Sequence, residues 1–169
     1  YHYHPAGWRV WKWLASGPDT LYLYGPGGQL LADSGGTDYL YFGGRLLYTM
    51  ANGEHASAYT ALTRLYGDRL GSTRATVTTE SYWWTLTTRN YYPYGEEISP
   101  PSANNQYKYA STYRDSSTGL DYAVNRYYAS SMGRFTSADL YGNATPGTAQ
   151  SFNRYLYTEG DPVNFSDRV

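Results

Sequence analysis

Three histidines, a tryptophan pair and a stretch dense in arginine and aspartate are the residues of this 169-residue chain whose types and spacing could do chemistry. His2 and His4 stand two apart, which in a strand puts both rings on one face. Zinc needs three or four ligands and the remaining histidine is His55, so the bland reading, two rings among tyrosines at a strand edge, is preferred. Trp83-Trp84 and the tyrosine ladders could form a platform on which sugar rings stack. Strand neighbours point to opposite faces, so one tryptophan is expected in a core and one at the surface, with aromatic β packing as the preferred reading. Asn143-Ala144-Thr145 and Asn164-Phe165-Ser166 fit the N-glycosylation pattern, but among eight asparagines two such matches are near chance. No nucleophile elbow, phosphate loop or dinucleotide fingerprint occurs, and without cysteine there is no disulfide or thiolate metal site. No cofactor and no metal are expected.

The arginines and aspartates are concentrated in the stretch 113–139. A turn at Asp115-Ser116-Ser117-Thr118-Gly119 opens it, followed by the strand-like Leu120-Asp121-Tyr122. The block Asn125-Arg126-Tyr127-Tyr128 comes next, then a second turn, Ser130-Ser131-Met132-Gly133, and the strand Arg134-Phe135-Thr136. Two turns flanking alternating aromatics predict a β-meander. Gly119 and Gly133 are expected at positive φ. Arg114, Asp115, Arg126 and Arg134 are expected to tie the turns together through backbone and carboxylate hydrogen bonds.

This stretch resembles the signature of the RHS (YD-repeat) core domain, read as RD-x-x-T-G-L-D-Y-x-x-x-R-Y-Y-x-x-x-x-G-R-F-x-x-x-D. The matching positions are Arg114, Asp115, Thr118, Gly119, Leu120, Asp121, Tyr122, Arg126, Tyr127, Tyr128, Gly133, Arg134, Phe135 and Asp139. Other blocks are similar too. Asp68 to Thr78 resembles D-x-L-G-S-T-R-x-V-T, Tyr92 to Glu96 resembles Y-x-P-x-G-E, and Asn153 to Asp167 resembles the closing block N-x-Y-x-Y-x-x-N-x-P-V-N-x-x-D. The likeness is weakest over Trp8 to Thr20 and Met50 to Thr63.

The first part of the chain is a set of imperfect repeats beginning at Tyr1-x-Tyr3, Tyr22-x-Tyr24 and Tyr39-x-Tyr41. Each reads as a strand with tyrosines on one face, a glycine-containing turn and a return strand. They look like YD repeats in which His4, Gly25 and Phe42 stand where the namesake aspartate is expected. The 22 tyrosines suit this plan, because each ring can pack on another while its hydroxyl reaches water or a carbonyl. The 97–106 and 140–151 stretches read as loops.

The resemblance also implies one reaction. Toxin-bearing relatives end in P-x-x-x-x-D-P-x-G-L and cut themselves after the leucine with the help of that aspartate, and two carboxylates can act as acid and base in such a cut. Pro162 to Asp167 matches the first part, but Arg168 follows where proline is expected, and Asp161 and Asp139 both stay open as partner of Asp167. A turn-capping role for Asp167 is preferred.

Net charge is −1 and charged residues make up 16%, so nothing favours nucleic acid, and no apolar run is long enough to insert in a membrane. The chain begins Tyr-His-Tyr-His without a methionine, which reads as a processed product or an excerpt. As a single sheet, 169 residues would cover roughly 2,700 Å². Enclosing a cargo domain of about 16 Å radius needs more than ~3,200 Å². The chain is therefore expected to be an end piece of a larger shell or a unit that associates with copies of itself.

The sequence thus predicts an all-β fold of twisted antiparallel hairpins in a curled sheet or barrel-like roll, with few or no helices. Residues 1–99 form the repeat region and 100–169 the closing segment of one continuous domain. The expected function is structural and non-enzymatic, at the cell surface or outside the cell. Its expected partners are copies of itself or neighbouring repeats, met through strand edges and aromatic contacts. The core end of a toxin shell with self-cleavage at Asp167 is the first alternative, and a module binding surface glycans the second.

Overall fold

The computed structural model describes residues 1–51, 61–80, 82–98, 102–104, 106–140, 149–165 and 167. His55, the Asn143 to Thr145 pattern, Pro100-Pro101, Ser166, Arg168 and most of the 140–151 stretch lie outside the described residues. The chain divides into two compact units, Tyr1–Tyr66 with Arg74–Thr88, and Gly67–Thr73 with Arg89–Val169. The second unit thus includes the Asp68 to Ser72 turn and residues from Arg89 onward.

Nine strands build the first sheet: β1 (His2–Tyr3), β2 (Arg9–Lys12), β3 (Thr20–Tyr24), β4 (Leu30–Asp33), β5 (Thr37–Phe42), β6 (Arg45–Ala51), β7 (Ala61–Gly67), β8 (Thr73–Glu80) and β9 (Trp83–Thr88). They lie side by side in sequence order, antiparallel from β1 to β7 and again between β8 and β9, so the sheet is a simple meander of hairpins. A second, five-stranded sheet follows the same rule: β10 (Gln106–Tyr107), β11 (Tyr113–Arg114), β12 (Asp121–Ala123), β13 (Arg126–Ala129) and β14 (Arg134–Phe135). The only helical elements among the described residues are 3-10 turns at Tyr109–Ser111, Ala149–Phe152 and Thr158–Gly160. The fold is all-β and antiparallel, as expected, and its sheets are open.

One five-residue turn recurs four times, twice in the repeats that begin at Tyr1 and Tyr22, whereas the Tyr39 repeat turns tightly through Gly43-Gly44. In His4–Trp8, Gly25–Gln29, Asp68–Ser72 and Tyr92–Glu96, the N–H of the first residue donates to the carbonyl of the fifth. The N–H of the fourth residue, always glycine, donates to the carbonyl of the first. That glycine has φ of 85, 79, 86 and 88° at Gly7, Gly28, Gly71 and Gly95, a region closed to most L-residues. Asp68 occupies the first position of its turn, where Oδ1 accepts from Leu70 N at 3.0 Å and Ser72 N at 2.9 Å. His4 supplies the same kind of acceptor, with Nδ1 3.1 Å from Ala6 N. Gly25 and Tyr92 open the same turn, so the backbone pattern itself does not require an aspartate, and histidine fits because its Nδ1 can act as an acceptor as the Asp68 carboxylate does.

Inside the first unit, Tyr22, Leu30 and Tyr39 are buried, and Arg9, 1% exposed, lies over the rings of Tyr1 and Tyr22 at 5.2 and 4.6 Å. His2 stacks on Trp11 and His4 on Trp8, as rings at a strand edge do. The expected split of Trp83 and Trp84 does not hold: they are 79% and 70% exposed. β9 is the last strand of its sheet, and Thr85 and Leu86 are exposed as well, so alternation along it does not separate a core side from a solvent side.

Two glycines separate conformational from steric cost. Gly119 has φ of 71° and open space around an added Cβ, whereas at Gly95 that atom would lie 2.5 Å from the Tyr109 ring. Gly119→Ala is expected to cost about 1–2 kcal/mol, the left-handed penalty alone. Gly95→Ala should cost clearly more, and equal losses in urea unfolding would contradict this.

Candidate functional site

The second unit is assembled around tyrosine. Tyr91, Tyr109, Tyr128, Phe135 and Tyr157 form its buried cluster, with Tyr94 packed against it. Tyr128 is 1% exposed and sits at the centre, 4.6 Å from the Tyr157 ring and 5.6 Å from Phe135, its register partner on β14. The Tyr128 hydroxyl donates to the Tyr94 carbonyl at 2.7 Å, and Tyr109 donates to the Pro93 carbonyl at 2.5 Å. Burial pushes the Tyr128 and Tyr157 hydroxyls far above their ordinary value, so both stay neutral.

The meander over 113–139 places the signature residues. The turn after β11 closes through Asp115 N to Leu120 O and Gly119 N to Asp115 O, both 2.9 Å, and the fully buried Asp115 carboxylate accepts from Ser117 N at 2.8 Å. Across the hairpin, Arg114 and Asp121 are register partners and form a two-pronged ion pair, Nε to Oδ1 at 2.9 Å and Nη2 to Oδ2 at 2.6 Å. Arg114 Nη2 also donates to the Gly95 carbonyl at 3.0 Å. Burial pushes the Asp121 carboxyl up, and the Arg114 fork pulls it back towards the ionised form. Tyr122 and Tyr127 pair across the next hairpin with rings 5.5 Å apart. Leu120 is half-buried, and Gly133 takes φ of 64°. Arg134 departs from the turn-tying role expected of it: it is exposed, with its guanidinium 5.3 Å from the centre of the Tyr155 ring.

Arg126 gathers the aspartates. Its guanidinium lies 3.5 Å from the Phe135 ring centre, and Nη2 reaches Asp139 Oδ2 at 3.3 Å and Asp167 Oδ2 at 3.2 Å. Of the two candidate partners for Asp167, Asp139 is the one at this guanidinium. Asp161 binds the Asn164 side chain at 2.8 and 3.1 Å, and those hydrogen bonds hold its carboxyl below the ordinary value. Asp167 is delivered by a segment gripped through its main chain. Tyr94 donates to the Gly160 carbonyl at 3.2 Å, and the Arg69 guanidinium donates to the carbonyls of Val163 and Asn164. Arg126, Asp167, Tyr109, Tyr128, Phe135 and Tyr157 line a small cavity of about 20 Å³, room for a single water.

Arg126→Ala is expected to destabilise the protein by about 1–2 kcal/mol, because the ring contact is lost and two partly exposed carboxylates lose their cation. An unchanged melting temperature would contradict it.

A polar network also belongs to this unit, and the sequence reading did not find it. Lys108, 1% exposed, donates from Nζ to Glu97 Oε2 at 2.8 Å, the Ser102 carbonyl at 2.8 Å and Asn104 Oδ1 at 3.1 Å. Arg89 Nε donates to Ser102 Oγ at 2.8 Å and lies 3.9 Å from Glu97 Oε1. Burial pushes the Glu97 carboxyl up, but hydrogen bonds from Lys108 and Ser102 outweigh it and leave the group below its ordinary value. Among the described residues, no group of three or more His, Cys, Asp or Glu side chains could hold a metal.

A crystal structure of TcdB2-TccC3-Cdc42 aligns over 98% of this chain with a TM-score of 0.55 at 18% identity. TcdB2-TccC3 aligns over 98% at 0.51 and 18%, and TcdB2-TccC3-TEV over 90% at 0.50 and 19%. The fold is shared with a segment of those chains. That segment is about a tenth of their length, 10%, 10% and 9% respectively. No protein-family model matches this chain, and no curated protein matches it.

Proposed function

We propose that this chain is a structural β module without enzymatic activity, which joins its sheet edge to strands of its own copies or of neighbouring repeats and so builds an extracellular or surface assembly. The observation that carries this reading is β9. It closes the nine-stranded order with a neighbour on one side, and its sequence, Trp-Trp-Thr-Leu-Thr-Thr, holds none of the charges or prolines that blunt an edge. Trp83, Trp84 and Leu86 are 79%, 70% and 54% exposed. Such an edge adds an extended strand through main-chain hydrogen bonds. The fold this chain shares with a tenth of the TcdB2-TccC3 chains is compatible with one module of a longer β assembly.

Sedimentation velocity over a concentration series tests it. The protein is expected to form assemblies that grow with concentration. A Trp84→Lys, Leu86→Lys double variant, altering two exposed positions, is expected to stay small. A wild type that remains a 19.1 kDa monomer throughout would overturn the reading.

A second reading is supported by Asp139 and Asp167 sharing Arg126: the unit is the self-cleaving end of a shell. In a chain continued beyond Val169, cleavage should occur in the wild type and stop in Asp139→Asn and Asp167→Asn. A wild type and variants that are all intact, or all cut, would remove this reading.

A further inference from the structure

Lys108, Asn104 and Glu97 are arranged as an amine, an amide and a carboxyl able to move protons between them. We propose that Lys108 and Asn104 condense into an intramolecular isopeptide bond, with Glu97 as the proton carrier. The geometry that supports this is direct: Lys108 Nζ lies 3.1 Å from Asn104 Oδ1, which places the amine against the side-chain amide, and 2.8 Å from Glu97 Oε2. The Lys108 and Glu97 side chains are 1% and 4% exposed, so bulk water does not compete for the amine or the carboxyl. Holding an amine against an amide in this way makes an otherwise slow condensation effectively unimolecular.

An amine must be neutral to attack. Burial, and after it the guanidiniums of Arg114 and Arg89, pull Lys108 below its ordinary value against the pull of Glu97. Of the three cations gathered here, lysine alone can shed its proton readily, since a guanidinium stays charged.

The step balances without an oxidant or other co-reactant. Lys108 passes one proton to Glu97, and the freed Nζ lone pair attacks Asn104 Cγ. Glu97 gives that proton to the amide nitrogen and accepts the second proton from Nζ. The Cγ–N bond then breaks and ammonia leaves. The products are one secondary amide, ammonia and a protonated Glu97, which hands its proton on to solvent or to the departing ammonia. Asn104 is half-buried, so the leaving group has a way out. The bond would close the end of the 97–108 segment covalently in a chain whose 169 residues include no cysteine.

The test is the intact mass of the folded wild-type protein, with tandem mass spectrometry of the peptide spanning residues 104–108. The expected result is a mass lower than that of the sequence by one ammonia, a branched Lys108–Asn104 fragment, and full mass in Lys108→Arg and Glu97→Gln. A wild type at full mass after prolonged incubation would overturn the proposal and leave Lys108 as an ammonium satisfied by its three acceptors. Loss of ammonia that persists in Lys108→Arg would also overturn it, because an asparagine can close on its own backbone without the lysine.

Discussion

Replacing Arg114 with alanine is expected to cost about 3–5 kcal/mol, among the largest effects of any single change in this chain. The reason is what it leaves behind. Asp121 has no exposed surface, and the Arg114 fork is bonded to both of its carboxylate oxygens. Without that fork a carboxylate is stranded in a low-dielectric interior, and the Gly95 carbonyl loses a donor. Asp121→Ala should cost a similar amount by stranding the guanidinium. The double variant should lose less than the sum, since each single loss contains the unpaired charge of the other residue. Urea unfolding of the three variants measures this, and strict additivity would show that the two residues act independently.

Tyr128→Ala is expected to cost about 3–5 kcal/mol, as truncation of a fully buried ring does. Tyr109, Phe135 and Tyr157 all pack on that ring, so the cavity would open in the middle of the cluster and not at its rim. Tyr128→Phe separates the ring from the hydroxyl. It keeps the packing and leaves the Tyr94 carbonyl without its 2.7 Å donor, for about 1–3 kcal/mol. A phenylalanine variant as damaged as the alanine variant would show that the hydroxyl, and not the ring, holds the cluster together.

Much of the fold was legible because its information is local. A five-residue turn with glycine in fourth place specifies a hairpin without reference to anything distant; four such turns share one hydrogen-bond pattern, and two of them follow tyrosines two apart. Gly119 and Gly133 were readable as positive-φ positions for the same reason, being the last residues of short turns. Trp83 and Trp84 were misread because alternation assumes a sheet with one covered side, and the sequence does not say that β9 comes last in its sheet. The charged groups were legible only in part. Arg114 and Asp121 face each other across one hairpin, but Arg126 meets Asp167 from 41 residues away. The Lys108 network left no local signal, since Arg89, Glu97, Ser102 and Asn104 look like ordinary loop polarity until the lysine is seen buried among them.

Electron microscopy of natively purified protein shows whether other strands continue this sheet, as proposed. Regular extended assemblies are expected, with strands stacked at the ~4.8 Å inter-strand spacing continuing past β9 into the next copy or repeat. Discrete single particles in which Trp83 to Thr88 face solvent would contradict it.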